Sequence, residues 1–199
     1  EADQLLALAK EKNTRIAVHH QGRSGAAMKA VKAAVGEGKI GQLQSVAGSG
    51  KGYYAGYGLM NIGTHVLNAM IGVAGPVRAV TAIAQADGSP VQPDDVLVAA
   101  GGMGYVVGED ITAGIEFARG VQGVHLQQRF SSVDSRAYRV EFAGSEGRLF
   151  WRTDEAWFLP DAHSIPGGTE WQRLPISMPP GFDPLGVANE AEDSYVDDY

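Results

Sequence analysis

The sequence predicts an α/β (α+β) chain in which the tail of a doubly wound unit leads into a mostly antiparallel sheet. Three observations carry this. A helix followed at once by a short apolar run, over residues 1–20, is how a doubly wound α/β unit finishes. Two stretches further on, 110–130 and 137–152, alternate around glycine-bearing turns and read as hairpins. One strongly patterned helix, from about Asn61 to Val73, lies among the strand-like segments.

Taken in order, Glu1 to Lys12 is rich in Ala, Leu and Lys, with Leu5, Leu8, Ala9 and Lys12 at helical spacing and Asn13 as its stop. Arg15 to His20, containing Ile16 and Val18, is the strand expected next. Ser24 is the expected N-cap of a second helix bearing Met28, Val31 and Val35 on one face and closed by Gly36 and Gly38. Gly41 to Gly50 and Val77 to Ala86 are expected strands on either side of the central helix. Asp110–Ala118 and Val121–Phe130 flank Arg119-Gly120, and Ala137–Ala143 and Arg148–Arg152 flank Gly144–Gly147. The proline-rich stretch 161–186 is read as a surface loop.

Composition narrows the function classes. Of 199 residues 44% are apolar, enough for a packed core, and 16 Lys plus Arg against 23 Asp plus Glu leave no basic cluster of the kind nucleic acid attracts. Five of the acids, Glu190, Glu192, Asp193, Asp197 and Asp198, crowd the last ten residues, and without them the formal charge moves from −7 to −2. No apolar run approaches the roughly 18 residues of a membrane span, so no membrane partner is expected. There is no cysteine, hence no disulfide or thiolate ligand. The opening at Glu1, already on helical spacing and without Met, and the stop at Tyr199 in an amphipathic acidic stretch suggest an excerpt of a longer protein. The expected location is cytoplasmic.

The glycine-rich stretches carry little chemistry. Gly48-Ser49-Gly50-Lys51-Gly52 lacks the glycine and the Ser/Thr that a phosphate loop requires, and no amphipathic helix follows Gly101–Gly104, so both read as flexible turns around a site. The central helix is more informative. At about 100° per residue, Asn61, His65, Asn68 and Gly72 fall within about 60° of one another, with Ile62, Val66, Ala69, Met70 and Val73 on one side and Leu67 and Ile71 on the other. A narrow polar stripe between apolar flanks predicts a buried helix turning one face to a cavity. Asn61 and His65, four apart, can meet on that face, and histidine can take a proton from a hydroxyl as its carbon loses hydride. The alternative is that Asn61 caps the helix and His65 is a core histidine. His19 and His20, adjacent on an expected strand, point to opposite faces and make no metal pair; no metal site is predicted. Lys51, Tyr53, Tyr54 and Tyr57 suit either sugar contacts or packing. The pairs Asp94-Asp95 and Glu109-Asp110 read as turn residues.

These features, in their order, resemble the Gfo/Idh/MocA oxidoreductases, the family of glucose-fructose oxidoreductase and inositol dehydrogenase. The matching residues are the Glu1–Lys12 helix, Ile16 to Arg23, Glu37-Gly38-Lys39-Ile40-Gly41, Gly63-Thr64-His65-Val66-Leu67-Asn68, Glu109 to Gly120 and Ala143 to Leu149. The resemblance implies that residues 1–22 are the end of a Rossmann domain and 23–199 most of a substrate domain, built as a large, mostly antiparallel open sheet with helices on one face. It implies that the dinucleotide fingerprint and the Glu-Lys-Pro motif precede Glu1 and that a final helix begins near Asn189. It also implies NAD or NADP as cofactor, a small carbohydrate-like substrate, and a homo-oligomer formed through the open sheet.

His65 matches the family's catalytic histidine, and Asn61 and Asn68 stand where the inositol dehydrogenase branch has acids. The expected reading is hydride transfer between a nicotinamide and a hydroxyl of a sugar, sugar acid or cyclitol. His65 would be the general base or acid, Asn61 its orienter, Lys51, Tyr53 and Asn68 substrate contacts, and Arg23 a contact to the cofactor. The 199-residue chain alone is expected to be inactive. The alternatives are a non-catalytic sugar or dinucleotide sensor of the same fold and an NAD-dependent glycosidase.

Overall fold

The computed structural model describes residues 1–50, 58–98, 104–108, 110–129, 138–165, 167 and 170–176. Helix α1 (Ala2–Glu11) ends where Asn13 takes φ 49°, a left-handed conformation that asparagine tolerates. None of its residues is buried, and Leu5 and Leu6 are 58% and 62% exposed. The strand expected at Arg15–His20 is not formed. No strand among the described residues lies beside it to complete a ladder, and the chain turns instead through a bond from the His20 N–H to the Val18 carbonyl.

A 3-10 turn (Gln21–Arg23) follows and shifts the start of α2 (Ala26–Gly36). The Gln21 carbonyl accepts from the N–H groups of both Ser24 and Gly25, so the N-cap is Gly25 and not Ser24. Ala27, Met28, Val31 and Ala34, recurring every three or four residues, bury one face of α2.

The strands are β1 (Leu43–Ser49), β2 (Val77–Ala86), β3 (Ser89–Pro90), β4 (Leu97–Val98), β5 (Tyr105–Val106), β6 (Asp110–Phe117), β7 (Gln122–Gln127), β8 (Arg139–Gly144), β9 (Arg148–Trp151), β10 (Ala156–Leu159) and β11 (Gln172–Arg173). Nine form one sheet in the order β11-β10-β9-β8-β1-β7-β6-β2-β3; β4 and β5 pair separately. Among the described residues every pairing is antiparallel except β1 with β7, where Ser45 lies opposite Gln122. Both expected hairpins are present. The stretch read as a surface loop contributes the edge strand β11, which pairs Arg173 with Trp157 and Gln172 with Phe158 of β10. Two-residue strands fall below the length at which alternation can be seen in a sequence, which is why β3, β4, β5 and β11 escaped it.

One sheet face is dry. Alternate residues Val46 of β1, Val140 and Phe142 of β8, and Leu149 and Trp151 of β9 are fully buried with Met28 and Val31 of α2 and with Val66 and Met70 of the central helix. On the other face the centre carries small and apolar side chains, with Ala47 and Gly114 exposed and Ile83 65% exposed.

Candidate functional site

The central helix opens with a π-helical turn (Leu59–Gly63) and continues as α3 (Thr64–Ala74). Such turns widen the helix locally and recur at functional positions. Asn61 lies inside this turn, so it does not cap the helix: the residue before α3 is Gly63, and no side-chain cap is made. The Thr64 hydroxyl donates to the Asn61 carbonyl at 2.6 Å.

Three faces of α3 do different things. Val66 and Met70 press on the sheet at Gly48, where an added Cβ would stand 2.5 Å from Val66 Cγ1 and 2.6 Å from Met70 Sδ. Gly48 is thus a strand residue demanded by close helix–sheet approach, which corrects its reading as a flexible turn. Leu67 and Ile71 line an apolar cleft of about 300 Å³ with Val80, Ala82 and Ile115. The third face is the polar stripe of His65, Asn68 and Gly72.

This stripe faces the protein's own segment 20–23, and not only open space. The His65 and His20 rings meet edge to face, centroids 5.0 Å apart at 81°. Asn68 Nδ2 lies 2.5 Å from His20 Nδ1, and Arg23 Nη1 donates to Asn68 Oδ1 at 3.3 Å. The segment reaches α3 because Gly22 lies flat on the fully buried Trp151: a Cβ there would be 3.0 Å from the indole Cζ2. Trp151 is held in turn by an edge-on contact with Tyr138 at 5.6 Å.

His65 is half-buried, and its proton affinity is held below the ordinary value by desolvation first, then by His20 and His19. These influences favour the neutral imidazole, the form in which it can accept a proton. His20 is the residue that sequence reasoning passed over. Strand alternation predicts opposite faces for His19 and His20, but residues 14–20 belong to no strand. The signal available was the polar stripe itself, which needed polar partners from elsewhere in the chain.

Of the other sequence-derived site residues, Lys51 and Tyr53 lie outside the described residues, as do Tyr54, Tyr57 and Glu109. Arg23 is brought to Asn68. Asp95 accepts the Gln92 N–H at the start of a 3-10 turn, as expected of a turn residue, whereas Asp110 is not in a turn: it opens strand β6 and accepts the N–H of Arg129, just past the end of β7. No cluster of three or more metal-ligating side chains occurs among the described residues. On β7, His125 and Gln127 are 1% and 2% exposed, and among the described residues their side-chain polar atoms have no hydrogen-bond partner. Burial holds the His125 imidazole down to about 4. A dinucleotide does not fit the described residues as a whole, because they include no strand, glycine-rich turn and helix in sequence that would cradle a pyrophosphate.

The open sheet with helices on one face is an architecture that the chain shares with solved NAD-binding oxidoreductases, the fold expected of the Gfo/Idh/MocA type. Among solved structures, the chain is similar to an NAD-binding oxidoreductase from Klebsiella pneumoniae (TM-score 0.64, 16% identity, 88% of this chain and 51% of that one). It is similar also to levoglucosan dehydrogenase in complex with NADH and levoglucosan (0.62, 18%, 92% and 56%). A third is an oxidoreductase from Agrobacterium radiobacter in complex with NAD+, L-tartaric acid and magnesium (0.60, 16%, 92% and 53%). At these identities the likeness establishes the fold, and the chain spans about half the length of each structure. No protein-family sequence model matches the chain, and no curated protein matches it in sequence.

Proposed function

We propose that the chain is the substrate-side part of an NAD(P)-dependent oxidoreductase acting on a hydroxyl of a sugar, sugar acid or cyclitol, with residues 1–22 closing its dinucleotide domain and 23–199 forming the substrate domain. The observation that carries this is His65: a half-buried imidazole whose proton affinity is lowered by burial, on a helix that begins with a π-helical turn, in a fold shared with an oxidoreductase bound to NADH and levoglucosan. A bound nicotinamide dinucleotide, held by residues other than those described, would supply the hydride acceptor. His65 would take the hydroxyl proton on a ring nitrogen, and its depressed affinity keeps that nitrogen free at neutral pH. Lys51 and Tyr53 are the proposed substrate contacts, with Asn61 helping to orient His65. The sheet face bearing Ala47, Ile83 and Gly114 is proposed to meet a second copy.

The test is turnover by the intact protein, read at the nicotinamide absorbance with NAD+ or NADP+ and a panel of sugars and cyclitols. His65→Ala should lower kcat by about 10² or more, the range for losing a general base. Undiminished turnover would remove His65 from the chemistry. A non-catalytic sensor is the second reading, supported by Asn68, whose amide is engaged at both ends by Arg23 and His20. Tight sugar binding with no change in nicotinamide absorbance would favour it.

A further inference from the structure

Resting on the reading of His65 as the base, we propose that His20 is its positioning residue, locked as the Nε2–H tautomer by a hydrogen-bonded relay running Arg23 to Asn68 to His20. The polarity of the relay follows from what each group can do. A guanidinium only donates, so the Asn68 atom facing Arg23 Nη1 at 3.3 Å is the carbonyl oxygen. That orientation leaves the Asn68 NH₂ toward His20, where it donates to Nδ1 at 2.5 Å. Nδ1 is therefore the acceptor, and the ring proton of His20 resides on Nε2.

The consequence falls on His65. Its ring stands edge to face with His20, centroids 5.0 Å apart, so a His20 held in one rotamer and one tautomer restricts the tilt of His65 as well. The surroundings reinforce the arrangement. His19 precedes His20, Arg23 stands on the 3-10 turn, and Lys32 of α2 is close enough for Arg23 to depress its proton affinity, second to burial. Among the described residues, no carboxylate influences His65. The described surroundings of His65 are thus neutral and cationic groups, and a proton added to His65 is opposed by its neighbours. The relay also gives Asn68 a task within the chain, in place of the substrate contact expected from its position on the stripe.

The full chain, uniformly ¹⁵N-labelled, would be examined by long-range ¹H–¹⁵N correlation of its five histidines, with His20→Gln and His65→Gln assigning the two rings. The wild type should show His20 with a bare Nδ1 and a protonated Nε2. Asn68→Asp replaces the donating amide with an acceptor and should invert the tautomer. His65 should titrate at higher pH in both His20→Gln and Asn68→Asp, because the first removes a depressing neighbour and the second adds a negative charge. A merely structural His20 would move neither the tautomer nor that midpoint. A wild-type His20 protonated on Nδ1, an unchanged tautomer in Asn68→Asp, or an unmoved His65 midpoint would each overturn the relay. Should His20→Gln fail to fold, the wild-type tautomer and Asn68→Asp decide alone. These readouts need no turnover: an intact relay in a protein that oxidises nothing counts against the oxidoreductase reading only. Loss of turnover in His65→Ala beside a wrong tautomer counts against the relay only.

Discussion

Lowering the pH should destabilise the protein through His125, an imidazole with no described part in the site. It is 1% exposed at the middle of β7, beneath α3, and desolvation holds it at about 4 against an ordinary 6.5. The depressed value means that between pH 6.5 and 4 the unfolded chain binds a proton that the folded one refuses. Stability is therefore whole above pH 7 and falls as pH falls through this window. Over the full window the 2.5-unit difference corresponds to about 3 kcal/mol, and from pH 7.5 to 5 to about 2 kcal/mol. Urea unfolding at pH 7.5 and 5.0, for wild type and His125→Phe, isolates this group from the carboxylates that titrate in both proteins. Phe fills the same space and leaves no orphaned nitrogens, so the variant should match or exceed wild type at pH 7.5 and lose about 2 kcal/mol less on acidification. Equal acid sensitivity in the two proteins would refute the reasoning, because it would mean that His125 is hydrated or partnered.

Two further outcomes follow from the packing. Gly48→Ala places a methyl against Val66 and Met70 and should cost about 1–3 kcal/mol, read as a lowered Tm, with His65 resonances displaced as α3 lifts from the sheet. Tyr138 is held up to about 12 by burial, opposed by its bond to Thr153, so above pH 10 the unfolded chain loses its phenolic proton first. Stability should drop by about 1.4 kcal/mol between pH 9 and 11 in wild type, and Tyr138→Phe should remove that share of the alkaline sensitivity.

The parts of the fold that the sequence displayed are those with a repeating pattern long enough to be read. Strands β6 to β9 alternate around glycine turns, and α2 and α3 carry apolar residues at helical spacing, so these elements appeared close to their true bounds. Strand β11 and the 3-10 turn at Gln21–Arg23 are too short for any period. The strand expected at Arg15–His20 shows the converse: apolar alternation is only half of a strand, and the ladder partner is a property of the whole chain. At the site, His65, Asn68 and Gly72 were rightly placed on one face, because helix geometry is local. That His20 and Arg23 would face them depended on Gly22 seating the turn upon Trp151, a contact between residues far apart in sequence that no local pattern announces.

The parallel pairing of β1 with β7 bears on how the molecule is made. Ser45 has no partner on that side until Gln122 exists, and on the other side it waits for Ala143. The middle of the sheet therefore closes late, after hairpin β6–β7 has formed on its own short connection. Non-local closure of this kind slows folding, and until it occurs β1 emerges from synthesis as an unpaired edge with Val46 uncovered. The centre that later carries α3 and its histidine is thus the part of the chain most in need of protection while it is being synthesised.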